Sequence, residues 1–63
     1  MGQKLLKFYE LIKSEGGVQA QMRLSMKTAV SSAKAGEAPD SPENIRKFQA
    51  AFKDITGKSA PIN

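Results

Sequence analysis

The chain has 63 residues, and its ten lysines and arginines against six acidic residues give a net charge of +4. It contains no cysteine and no histidine, which excludes disulfides, thiolate or imidazole catalysis and the usual zinc sites. Its 40% apolar content is typical of a folded domain rather than a disordered chain. Its length is near the lower limit at which one hydrophobic core can stabilise a fold. We therefore expect a single domain over residues 1–63 that is not an enzyme and needs neither a cofactor nor a metal.

Residues 4–15 have apolar side chains at helical spacing, which predicts a first amphipathic helix. Its apolar stripe consists of Leu5, Phe8, Tyr9 and Ile12. The Gly16-Gly17 pair follows this segment. Paired glycines are unfavourable inside helices and suit tight turns, so we expect a corner between two helices there.

A second helix is predicted over residues 18–33, with an apolar face formed by Met22, Met26, Ala29 and Ala33. We expect this face to pack against the aromatic side chains of the third helix, because methionine adapts to irregular surfaces. Val30-Ser31-Ser32 lowers helix propensity. A break at this point, followed by a fourth short helical turn near residues 31–36, therefore stays open as an alternative.

The third helix, over residues 42–56, has the clearest boundaries. Ser41 is a good N-cap, Pro42 suits the first helical position, and Gly57 suits the left-handed residue that ends a helix. Its stripe consists of Ile45, Phe48, Phe52 and Ile55. Residues 58–63 read as a tail, which we expect to be frayed. The fold class predicted is an all-α compact three-helix bundle.

Charged residues provide the first functional candidates. The segment 18–36 contains three basic and no acidic residues, and on an ideal helix these basic residues share an arc of about 40°. Such a basic face is a candidate phosphate-tracking surface for nucleic acid, formed by Arg23, Lys27 and Lys34. The acidic residues Glu37, Asp40 and Glu43 have a spacing that could cluster carboxylates around a cation, but helix capping and dipole stabilisation explain Asp40 and Glu43 without an ion.

Residues 21–31 resemble the first half of a helix-turn-helix of the phage-repressor type. The residues that match its pattern are Gln21, Leu24, Val30 and Ser31. Ser25, Thr28 and Ala29 stand where that pattern has a small residue, a large apolar residue and glycine. The resemblance implies DNA binding through a recognition helix that follows, but few residues remain before Pro39 to form one.

Exposed leucines provide the other candidate surface. Three short helices cannot easily hide every leucine, so a partner is expected to cover some of them, with the candidate residues being Leu6, Leu11 and Leu24. We therefore predict a small cytoplasmic protein-interaction or regulatory module that binds a protein partner or forms a homodimer. Nucleic-acid binding is the alternative, and membrane-surface binding through the first helix is the third option. No apolar run is long enough to predict a transmembrane segment.

Overall fold

The computed structural model describes residues 3–62, which form three helices and no strand. Helix α1 (Gln3–Thr28) contains a sharp break at Gly17. We call residues 3–16 its N-terminal arm and residues 18–28 its C-terminal arm. Helix α2 (Ser32–Ala35) is a single turn, and helix α3 (Pro42–Thr56) packs against α1. The expected all-α helical bundle is confirmed.

The corner in α1 depends on its two glycines for different reasons. Gly17 has φ 74° and ψ −161°, a backbone region that is essentially restricted to glycine. Gly16 faces a close contact instead, because a Cβ atom at this position would lie 2.8 Å from the Ala20 Cβ. The predicted corner is therefore present, and it separates the two helical arms at Gly17.

The C-terminal arm ends earlier than predicted, at Thr28 rather than residue 33. Ala29 then adopts the left-handed conformation with φ 60°. The buried Thr28 hydroxyl supports this turn by donating to the Leu24 carbonyl at 2.8 Å and accepting from the Val30 N–H at 3.3 Å. Ser31 caps α2 by accepting from the Lys34 N–H. The alternative of a break and a fourth short turn is the one that the structure adopts.

Helix α3 begins and ends where its local signals predict. The Ser41 hydroxyl accepts from the Asn44 N–H at 3.2 Å, and Gly57 is left-handed with φ 79°. Phe48 and Phe52 are buried. The Phe8 ring lies 5.6 Å from Phe48 and 6.2 Å from Phe52, centroid to centroid. These rings join α3 to the N-terminal arm in the centre of the core.

The tail does not fray within the described residues, contrary to the expectation. Ala60 and Ile62 are buried. The Gln49 amide holds their backbone, since its Oε1 accepts from the Ala60 N–H at 3.0 Å. Its Nε2 donates to the Ala60 and Ile62 carbonyls at 2.7 and 2.6 Å. An α3 side chain thus holds Ala60 and Ile62 against the core.

Candidate functional site

An apolar stripe lies exposed on the C-terminal arm. Val18, Met22 and Met26 follow one another at a spacing of four residues, with 60%, 60% and 81% of their surface exposed. Leu24, on the same arm, is fully buried. On an ideal helix the middle of the stripe points about 160° away from Leu24. We call Val18, Met22 and Met26 the methionine face.

This arrangement corrects the predicted orientation of the second helix. Met22 and Met26 were expected to pack against the aromatic residues of α3. Instead Ala20, Leu24 and Thr28 occupy the buried side of the arm. Ala20, Leu24 and Thr28 also recur every four residues, so both sides of the arm have helical periodicity.

A groove of about 360 Å³ runs beside the methionine face. Polar side chains complete its lining, contributed by Gln21, Ser25, Ser31 and Ser32. Tyr9 also lines this groove, although its side chain is almost entirely buried. The site therefore combines an exposed apolar ridge with a partly polar depression next to it.

Tyr9 fixes the geometry at the base of the groove. Its hydroxyl donates to the Val30 carbonyl, and its own backbone carbonyl accepts from the Gln21 Nε2 at 3.1 Å. Burial raises the pKa of the Tyr9 phenol above its ordinary value, and interactions with the Ser25 and Thr28 side chains partly oppose that rise. Tyr9 is therefore a neutral hydrogen-bond donor at neutral pH, connecting the N-terminal arm to the turn before α2.

The three predicted basic residues have different surroundings. Lys27 forms an ion pair with Asp54 of α3 at 3.3 Å. Arg23 borders a smaller depression that Ile55 also lines. Lys34 belongs to α2. On an ideal helix Arg23 lies about 60° from Met26, at one edge of the methionine face. The groove follows the other edge, where Gln21 and Ser25 lie.

The predicted leucine surface is not assembled by the fold. Leu24 has no exposed surface, so its assignment to a partner surface is wrong. Leu11 is half-buried and packs against the core. Leu6 is 39% exposed and lies beside Gly36. It is the one large apolar residue of the N-terminal arm that is clearly exposed.

The segment with the repressor-like sequence pattern ends in a turn before α2. Ala29 takes the left-handed conformation where that pattern has glycine, and Ser31 caps the helix that follows. However, α2 comprises only four residues. The position of a recognition helix is thus occupied by a single turn.

The acidic loop has a structural role that explains part of its sequence. The Asp40 Oδ2 accepts from the Lys4 backbone N–H at 3.4 Å, at the start of α1. A carboxylate there is stabilised by the positive end of the helix dipole. Among residues 3–62, no cluster of three or more acidic side chains is placed to hold a metal ion.

Comparisons with protein families, curated proteins and solved structures found no significant match to this chain. None of the helices within residues 3–62 combines the length and hydropathy needed to cross a bilayer.

Proposed function

We propose that this protein is a small interaction module whose methionine face binds an amphipathic helix of a partner protein, with acidic side chains beside the partner's apolar stripe. The observation that carries the proposal is the position of the large exposed apolar side chains. Of the four among the described residues, three form the methionine face. Scattered exposed apolar residues are common on proteins, but a contiguous set beside a groove is typical of a contact surface.

Methionine suits the binding of a helix. Its unbranched side chain and polarisable sulfur adapt to different shapes, and methionine-rich surfaces are used for helix-in-groove recognition. Val18 and Met26 are separated by eight residues, or about 12 Å along the helix axis. A partner helix of three to four turns would span this length and place one edge in the groove.

The charge pattern favours an acidic partner over a second copy of the chain. The segment 18–36 contains no acidic residue, and Arg23 borders the methionine face. A second copy docked through the same face would bring its own Arg23 to the interface, and like charges brought together oppose association. Acidic residues on the partner helix would instead complement this edge and guide its approach.

Two features weigh against the nucleic-acid alternative. Lys27 already has a carboxylate partner in Asp54, and α2 is too short to present several side chains to a groove of DNA. The binding test nevertheless includes duplex DNA, so that this alternative is measured directly.

The test uses a helical peptide of about 14 residues, or about 20 Å, with leucines on one face and glutamates beside them. We expect saturable binding, measured by calorimetry, that survives moderate salt because apolar burial is not screened. Met22→Asp should weaken binding at least tenfold, or about 1.4 kcal/mol. The matched control is Ala50→Asp, which adds the same charge at an exposed position of α3.

The competing interpretations have separate readouts. A peptide of the same composition with its leucines scrambled around the helix should not bind. Self-association in sedimentation that is abolished by Met22→Asp would replace the proposed partner with a second copy. Tight binding of duplex DNA that is lost on Arg23→Ala, together with no binding of the peptide, would overturn the proposal in favour of nucleic acid.

A further inference from the structure

The side chains that peroxide oxidises most readily are concentrated on the methionine face. The chain contains no cysteine, histidine or tryptophan and three methionines. Two of these are Met22 and Met26, both exposed. The buried apolar core among residues 3–62 contains no methionine. Oxidation of methionine in this region would therefore act on the proposed contact surface and leave the core unchanged.

We propose that Met22 and Met26 form a peroxide-sensitive modification site that switches docking off, an inference that rests on the proposed function. A sulfur lone pair attacks one oxygen of hydrogen peroxide, forming the S–O bond as the O–O bond breaks. Each thioether is oxidised by two electrons to the sulfoxide. The departing hydroxide takes the proton from the transferred oxygen and leaves as water. Methionine sulfoxide reductases reverse this modification.

The structure separates this switch from unfolding. Met26 is more exposed than Met22, so it should react first. A sulfoxide is polar, and on the methionine face it remains in water until a partner tries to cover it. Burying that polar group against an apolar helix without a hydrogen bond is unfavourable. Docking should therefore weaken while the packing around Leu24, on the opposite side of the arm, is unaffected.

The experiment treats the whole chain with hydrogen peroxide and maps each sulfoxide by tandem mass spectrometry. Binding of the acidic helical peptide and the thermal melting temperature are measured on the same samples. We expect oxidation of Met26 and then Met22, a loss of affinity of at least about tenfold, and a nearly unchanged melting temperature. Treatment with the reductases should restore binding.

The matched control is the double variant Met22→Leu, Met26→Leu, which retains apolar side chains of similar volume. It should bind the peptide equally well before and after peroxide. Loss of its binding after peroxide would overturn the switch, as would full affinity of the doubly oxidised parent or its unfolding. If the untreated parent and the leucine variant both fail to bind the peptide, the proposed function fails and the switch fails with it.

Discussion

Leu24 and Met22 lie two residues apart on the same helical arm and have opposite environments. Leu24 is fully buried in the core, whereas more than half of the Met22 surface is exposed. Hydrophobicity alone would not assign these roles, since both side chains are large and apolar. Their contrast can be measured with substitutions to the same residue.

Leu24→Ala should lower the free energy of unfolding by about 3 kcal/mol, because it removes a buried side chain and leaves a cavity. Met22→Ala should change it by less than about 0.5 kcal/mol, as expected at an exposed position. Urea denaturation of both variants tests this contrast. Similar losses in the two variants would mean that the methionine face is part of the core.

Ala29 adopts a left-handed conformation that alanine takes at a cost. Ala29→Gly should therefore stabilise the protein, by at most about 1 kcal/mol, because glycine tolerates positive φ while its greater freedom in the unfolded chain offsets part of the gain. The same change at Ala50, an exposed position inside α3, should destabilise the protein by about 1 kcal/mol. The melting temperature should rise for Ala29→Gly and fall for Ala50→Gly. A fall in both variants would contradict the left-handed turn at Ala29.

At the scale of elements, the parts predicted correctly are those with local signals. Ser41 and Gly57 define α3 through hydrogen bonds to residues three or four positions away. Gly17 similarly marks its corner by a backbone requirement that other residues rarely meet. Such interactions are contained within short stretches of sequence, and the helix boundaries they set can therefore be read in advance.

The orientation of the C-terminal arm depends on non-local interactions and was predicted wrongly. The backbone angles at Gly17 determine how this arm is rotated relative to the N-terminal arm. Thr28 is buried because its hydroxyl bonds satisfy both the end of α1 and the turn that follows. Hydrophobic periodicity treats threonine as a polar residue. The side of the arm with two methionines is therefore more apolar in sequence than the side that packs against the core.

The C-terminal tail gives a prediction at the same scale. Gln49→Ala removes the amide that bonds the backbone of Ala60 and Ile62. The Ala60 amide should then exchange with solvent at least tenfold faster, a loss of local stability of about 1.4 kcal/mol or more. Gln19→Ala, at an exposed position of α1, is the control and should not alter that rate. If Ala60 remains equally protected in the Gln49 variant, the Gln49 amide does not hold the tail.

At the scale of the whole molecule, aromatic contacts and one ion pair connect α1 to α3, and another ion pair connects α1 to Lys58 in the tail. The Tyr9 ring lies 6.0 Å from Phe48, next to the Phe8 contacts with α3. Lys27 pairs with Asp54 at 3.3 Å, and Lys58 pairs with Glu15 at 3.0 Å. Both ion pairs are largely exposed, so each contributes little to stability. The core is therefore held mainly by the aromatic and aliphatic side chains of α1 and α3.

The candidate site shows the same division between what could be predicted and what could not. The basic residues of segment 18–36 can be counted directly in the sequence. One of them, Arg23, borders the proposed contact surface. The surface itself was missed, because Met22 and Met26 were assigned to the core and Leu24 to the exterior. One signal for the buried side was present in the sequence, since Ala20, Leu24 and Thr28 recur every four residues and share one side of the arm. Only packing of the complete chain decides between two such sides.

The most direct test of the proposed docking observes the methionines themselves. The chain is labelled with ¹³C at the methionine methyl groups and titrated with the acidic helical peptide, while leucine methyl signals are followed in a second sample. We predict that the Met22 and Met26 signals shift together and saturate, whereas the Leu24 signals stay almost unchanged. Unshifted Met22 and Met26 signals at peptide concentrations that saturate binding would contradict docking through the methionine face.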